Sequence, residues 1–207
     1  KSFNSAHPSF KELIELQIIE PLKEIDLSKN IKSLGIIRNN ISKEVKEQYE
    51  ENPYPRWRYE NYLKSNKIPI LQVINNEIKP NYISETFGDE KLQILIAGCG
   101  TGKQILQAQR YKNADITAID LSLSSLAYAK RKINELEIDN VELIQMDILE
   151  VSLLEKKFDI IECAGVLHHM EDPGKGLKAL LTILKNNGSL QLSLYSETAR
   201  KEIIKAR

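Results

Sequence analysis

Between residues 92 and 195, short apolar runs alternate with longer stretches in which apolar side chains recur every three or four positions. The runs over 92–97, 115–120, 141–146, 158–162 and 189–195 have strand length and apolar composition, which predicts strands. In 122–136, Leu123, Leu126, Ala127, Ile133 and Leu136 fall on one face of a 3.6-residue repeat, so a helix capped by Ser122 is expected. In 173–185, Leu177, Leu180, Leu181 and Leu184 repeat that spacing, with Asp172 placed as N-cap and Pro173 at the first position. Gly188 lies just beyond the expected end of that helix. Strand–helix alternation of this kind predicts right-handed βαβ units. The expected class is α/β, a doubly wound, mostly parallel sheet with helices on both faces.

Residues 1–90 have another texture, charged and helix-like and punctuated by Pro21, Pro53, Pro55, Pro69 and Pro80. They are expected to form a helical N-terminal extension or lid ahead of a domain over 91–207. Five strands followed by a helix-like segment over 196–207 leave a sheet edge to be covered. Either that segment covers it, or further strands lie beyond Arg207 in a longer protein; the start at Lys1 reads the same way. No internal repeat or low-complexity tract is present.

Composition narrows the function classes. Of 207 residues, 42% are apolar and 28% charged, a globular balance. Basic and acidic residues number 29 each, so the formal net charge is zero, which disfavours nucleic acid as a partner. Cys99 and Cys163 are too few for a disulfide scaffold or a four-thiolate zinc site, and are expected to be packing residues; no metal is expected. No apolar run approaches the roughly 20 residues of a membrane helix, and the N-terminus has no signal-peptide core. The expectation is a cytoplasmic protein without a membrane partner.

The expected strand 92–97 runs directly into Gly98-Cys99-Gly100-Thr101-Gly102, with a helix to follow. Glycines there permit a tight turn and close approach of a ligand, and ligands of such sheets bind at the carboxyl ends of strands. The dinucleotide fingerprint would need a glycine at Lys103. A phosphate-binding P-loop would need a glycine at Ala97 and a hydroxyl at Gln104. The spacing present is Gly-x-Gly-x-Gly. Asp120 ends the second strand 22 residues after Gly98, placed to accept both hydroxyls of a ribose. Asp147 ends the third, and the fourth leads into Cys163-Ala164-Gly165-Val166-Leu167-His168-His169-Met170.

Together these segments resemble the class I S-adenosylmethionine-dependent methyltransferases, whose fold is Rossmann-like. The resemblance implies cofactor contacts at Gly98, Cys99, Gly100, Gly102, Asp120, Leu121, Asp147, Ile148 and Cys163. Within it, Asp120 is the ribose acid, Asp147 the acid for the adenine amino group, and Ile148 a wall of the adenine site. One departure stands out. The family carries an acid two positions before its first glycine, which helps hold the methionine amino group, and this chain has Ile96 there. The implied function is transfer of a methyl group from S-adenosylmethionine, leaving S-adenosylhomocysteine, to an acceptor that the sequence does not name; nor does it name an oligomeric state.

Two places are candidates for the acceptor side. His168 and His169 follow the fourth strand, and histidine as a residue type suits a general base at neutral pH; His168, nearer the strand end, is the first choice. The second is the dense run Gln48-Tyr49-Glu50-Glu51-Asn52-Pro53-Tyr54-Pro55-Arg56-Trp57. Tyr54 and Trp57 are placed to cover the sulfonium or the acceptor, Arg56 to receive a carboxylate, and Tyr49 to join them. Tyr54 is the second catalytic candidate. The run resembles a Tyr-x-x-Asn-Pro-Tyr-Pro-Arg-Trp segment found ahead of methyltransferase domains in bacterial proteins that often carry tetratricopeptide repeats.

Packing alternatives stay open throughout. Asp120 and Asp147 also suit strand ends, the histidine pair also suits a lead-in to the helix at Pro173, and the aromatic run also suits pinning N-terminal helices to the sheet. The rival function is a non-catalytic nucleoside-binding module that acts through its N-terminal helices.

Overall fold

In the parallel sheet, strands buried on both faces need apolar side chains at successive positions, and the runs read from the sequence meet that need. The computed structural model describes residues 7–59, 67–84, 91–196, 198–199 and 201. The chain begins with α1 (Pro8–Ile14), a π-helical turn over Glu15–Ile19 and α2 (Glu20–Ser28). There follow β1 (Lys32–Ser33), α3 (Asn40–Glu51), α4 (Ile70–Glu77), β2 (Leu92–Ala97) and α5 (Lys103–Ala108). Next come β3 (Ala114–Asp120), α6 (Leu123–Glu135), β4 (Val141–Gln145), β5 (Phe158–Ala164), α7 (Pro173–Ile183) and β6 (Leu184–Ser193). The wide turn precedes Pro21, which has no N–H to give a regular helix.

The six strands pair in the order β1-β4-β3-β2-β5-β6, every pair parallel. One face, with Ile94, Ile96, Ile116 and Ile160, packs on α4, α5 and α6 through Val73, Ile105 and Leu126. The other, with Leu95, Ile119 and Ile161, packs on α7 and the 3₁₀ segment Ile148–Leu154 through Leu180, Ile183 and Val151. The fold is thus the doubly wound, Rossmann-like sheet expected. Its strand order reverses at β2, whose neighbours are β3 and β5, so the crevice for a ligand opens at their carboxyl ends.

Two differences from the sequence reading have simple causes. The strand β1 was not expected: it is two exposed polar residues, held by Leu34 N–H donating to Gln145 O at 2.9 Å and Ser33 Oγ to Gln145 Oε1 at 2.8 Å. So short a strand carries no alternation to read. At the other edge, β6 begins immediately after α7, and Gly188 lies inside it. Phe158 pairs with Leu184 but Ile160 with Ser189, so the strand bulges. Gly188 sits in that bulge, where a Cβ would lie 2.8 Å from Leu184 Cδ1. The expected helix-like segment over 196–207 falls largely outside the described residues.

Helix caps were readable. Asp172 accepts from Gly174 N–H at 2.9 Å and Lys175 N–H at 3.2 Å, and Ser122 accepts from Ser125 N–H at 3.0 Å. Asp172→Ala is expected to lower the unfolding free energy by about 1 kcal/mol. The shift in denaturant midpoint measures it, and no shift would leave Pro173 alone as the start signal.

The N-terminal helices are held by charge. Arg131 of α6 has a 3% exposed side chain and reaches Glu20 and Glu24 of α2, each at 2.9 Å. Arg56 bonds the same Glu24 at 3.1 Å, and both guanidiniums lie over the Tyr128 ring, at 5.0 and 4.9 Å. Among the described residues no helix is long and apolar enough to cross a membrane.

Candidate functional site

The turn after β2 is built around Ile119 O, which accepts from Gly98 N–H at 2.8 Å and Cys99 N–H at 3.0 Å. Gly98 has φ +77°, and a Cβ there would lie 2.4 Å from Val166 Cγ2. Gly100 has φ +51°, and the space its Cβ would take meets only Tyr54 O, at 3.7 Å. The first glycine therefore lets two loops close on each other, while the second keeps room open along the cavity. Gly102 is the N-cap of α5 and lies against Ala129 of α6.

Asp120, at the end of β3, accepts from Gly100 N–H through Oδ2 at 2.8 Å and from Ser122 N–H through Oδ1 at 2.9 Å. A carboxylate offers about four acceptor positions, so these backbone bonds leave capacity for a further donor. Burial pushes its pKa up, the Ser122 and Gly100 N–H groups pull it down, and the Glu50 carboxylate pushes up again. Asp147, two residues beyond β4 and N-cap of the 3₁₀ segment Ile148–Leu154, accepts from Leu149 N–H at 3.0 Å and is itself buried. Its neighbours Met146 and Ile148 supply apolar wall.

These groups open into a cavity of about 440 Å³. Of the residues singled out in the sequence, it is lined by Gly98, Cys99, Gly100, Asp120, Leu121, Asp147, Ile148, Tyr49, Tyr54 and His169. Tyr195, from just beyond β6, completes an aromatic rim, with Tyr49 edge-on to His169 at 6.5 Å between ring centres. Burial, then Tyr195, Asp120 and Tyr54, push the Tyr49 phenol pKa up.

Five singled-out residues do not line the cavity. His168 stands beside the rim, 3.9 Å from the Tyr195 ring and 4.3 Å from His169. Cys163 packs into the core under α7, where burial pushes its thiol up to about 12. Gly102 serves the contact of α5 with α6. Arg56 is engaged by Glu24 rather than turned to a ligand carboxylate. Trp57 donates Nε1–H to Thr101 O at 3.1 Å, lies edge-on to Tyr128 and rests against the core.

Sequence reasoning missed four contributors. Tyr195 follows a parallel strand, and the carboxyl-end rule points to it. Thr101 ties the glycine loop to the aromatic segment, its Oγ1 donating to Pro55 O at 2.6 Å. Glu50 accepts from Leu123 N–H at 2.9 Å and Ser124 N–H at 2.8 Å; partners 73 and 74 positions away leave no local signal. Gln104 lines the cavity and donates Nε2–H to Ala164 O at 3.1 Å, while its buried Oε1 has no hydrogen-bond partner.

These residues fit an adenosine with a zwitterionic tail. Asp120 has acceptor positions for a diol, Asp147 for an amino group, and Gly100 leaves space. Gln104 Oε1 is an unmet acceptor, which costs about 1–3 kcal/mol until a donor reaches it. Fully buried Ile96 faces the core, so no acid stands before the glycine loop.

Comparison with known proteins bears on the same region. A family described as a methyltransferase domain matches residues 89–206. An uncharacterized protein of Synechococcus is 42% identical over 113 residues, which is 54% of this chain and 27% of that protein. A malonyl-[acyl-carrier protein] O-methyltransferase of Priestia megaterium is 33% identical over 147 residues, 70% of this chain and 50% of the enzyme. The chain thus spans half or less of these two relatives. Among solved structures, the [4+2]-cyclase SpnF is 18% identical with a TM-score of 0.53, covering 78% of this chain and 62% of that one, a likeness of fold alone.

Proposed function

The chain belongs to the methyltransferase-domain family, and from that premise we propose that it transfers a methyl group from S-adenosylmethionine to an acceptor placed against the aromatic rim. The observation that carries this reading is the Asp120 carboxylate. It is fixed by Gly100 and Ser122 N–H groups at the reversal point of the strand order, with acceptor positions to spare.

The cofactor is S-adenosylmethionine, whose sulfonium supplies an already electrophilic methyl group. Asp120 takes the ribose hydroxyls, and Asp147 the adenine amino group between Leu121 and Ile148. Gln104 Oε1 takes the ammonium that an acid before the glycine loop would otherwise hold. Tyr49, Tyr54, His169 and Tyr195 form the acceptor side, where they exclude water and align the nucleophile. His169 lines the cavity, so it rather than His168 receives the acceptor's proton. Within residues 1–90 the Tyr49–Trp57 run acts as the lid, whereas β1 and α4 pack with the sheet of the cofactor domain, 91–207.

Acceptors are small molecules or groups on a protein. The Priestia relative's name favours oxygen as the methylated atom. The Tyr49-to-Trp57 run supports a place among bacterial proteins that often carry tetratricopeptide repeats, working in the cytoplasm. The SpnF likeness is the reminder that fold does not fix reaction, so the test must read chemistry. Incubated with S-adenosylmethionine and a panel of hydroxyl, carboxyl and amine acceptors, the protein is expected to form S-adenosylhomocysteine and one product heavier by a methylene, read by mass spectrometry. His169→Ala should cut that turnover by about a hundredfold while binding of S-adenosylhomocysteine persists. Binding without turnover across the panel would favour the non-catalytic module.

A further inference from the structure

Residues 49–57 cross the cavity mouth as a strap fastened at both ends. At one end Ser122 Oγ donates to Tyr49 O at 3.0 Å, and the Glu50 carboxylate accepts from Leu123 and Ser124 N–H. At the other, Thr101 Oγ1 donates to Pro55 O, Trp57 Nε1–H donates to Thr101 O, and the Tyr128 hydroxyl bonds Trp57 O. Between these fastenings Tyr54 passes over Gly100, and the Tyr49 and Tyr54 side chains line the cavity. The strap is therefore a wall of the site, built from a different part of the chain than the loops it closes.

Glu50 is the unusual fastening. Helix α6 already has its own cap, Ser122 Oγ, which satisfies Ser125 N–H. The Leu123 and Ser124 N–H groups are left for water or for another part of the chain, and Glu50 of α3 takes both. A carboxylate at a helix N-terminus makes charge-assisted bonds that the helix dipole reinforces. It does so next to Asp120, whose pKa it pushes up, so two like charges flank one short turn. That repulsion is tolerated because both carboxylates are held by backbone N–H groups.

We infer that Glu50 is a positioning residue, the latch that holds the Tyr49–Tyr54 strap on the turn carrying Asp120 and so sets how long a nucleoside stays beneath it. The inference rests on the methyl-transfer reading above for the identity of that nucleoside. Releasing Glu50 leaves that end of the strap held by the single Ser122 Oγ–Tyr49 O bond, so the wall over the nucleoside opens more readily.

The probe is S-adenosylhomocysteine, and the readout is its dissociation rate in stopped-flow displacement rather than turnover. Glu50→Ala is expected to speed dissociation about tenfold, the effect of losing one charge-assisted bond's worth of hold. Glu50→Gln, whose amide oxygen still accepts one N–H, should fall between it and the wild type. Asp159→Ala is the control for stability alone. It sits at the far end of β5, where Asp159 accepts from Gln93 N–H at 2.8 Å and pairs with Lys185 at 2.9 Å. That variant should lose thermal stability yet release the ligand at the wild-type rate. A Glu50→Gln rate equal to wild type overturns the latch, as does an Asp159→Ala rate raised as much as that of Glu50→Ala. Wild-type protein that binds no S-adenosylhomocysteine at all overturns the methyl-transfer reading, and the latch with it.

Discussion

Asp120→Ala is expected to weaken S-adenosylhomocysteine binding by about a hundredfold or more, the greater share of two hydrogen bonds to a charged group. Isothermal titration measures it. The loss has two sources that further variants separate. The alanine removes the acceptors for a ribose diol, and it also strips Gly100 and Ser122 N–H of their partner, loosening the turns on either side. Asp120→Asn keeps one carbonyl oxygen but presents an amide N–H₂ to a backbone N–H, so the turn is strained while the shape is kept. If Asn binds nearly as weakly as Ala, the charge and the paired acceptors matter; if Asn restores most of the affinity, the shape of the side chain matters more than its charge. Unchanged affinity in both would remove Asp120 from the site.

The same carboxylate gives a pH dependence of defined sign. Burial holds its pKa above the ordinary aspartate value. Ligand hydroxyls need the ionised form, so affinity should fall as pH drops through that raised value, at higher pH than an exposed aspartate would dictate. Stability runs the other way. A carboxyl with a raised folded-state pKa favours folding most below its unfolded value, and that contribution is lost as pH rises through the folded one. An acid-side loss of binding with no parallel loss of folding is therefore the expected signature of Asp120.

Much of this was legible because it is local. Apolar runs specify buried parallel strands, a hydroxyl or carboxylate at the right offset caps a helix, and glycines after a strand mark a close approach. Residues 92–97, Ser122, Asp172 and the Gly98–Gly102 turn could all be read this way. What escaped depends on distant partners. Glu50 gains its meaning from amides 73 and 74 positions on, and Arg56 from a glutamate 32 positions back. Arg56 and Trp57 sit in one motif-like run with Tyr49 and Tyr54, yet the first pair faces α2, α6 and the core while the second pair lines the cavity. An irregular segment has no period from which to read its faces. The two-residue β1 was silent for a related reason, since its pairing rests on backbone groups that every residue carries and on a Ser33–Gln145 side-chain bond 112 positions apart.

Gly98 and Gly100 should separate folding from binding, although both belong to one short turn. At Gly98 an alanine meets a positive φ of +77° and a Cβ 2.4 Å from Val166 Cγ2, within a packed contact between the loops after β2 and β5. Left-handed strain and overpacking add, so Gly98→Ala is expected to cost roughly 2–5 kcal/mol of stability, read from chemical denaturation. Adding Val166→Ala should recover the packing share and leave the strain. At Gly100 the backbone is also left-handed, but the nearest neighbour to a new methyl is Tyr54 O at 3.7 Å, an ordinary contact. Gly100→Ala is therefore expected to cost only about 1–2 kcal/mol of stability, while its methyl group takes space along the cavity and lowers S-adenosylhomocysteine affinity by tenfold or more. If instead Gly100→Ala binds as the wild type does, the ligand does not pass over this turn. The Gly98 result would be unaffected, because it depends on the packing of two protein loops and not on what they enclose.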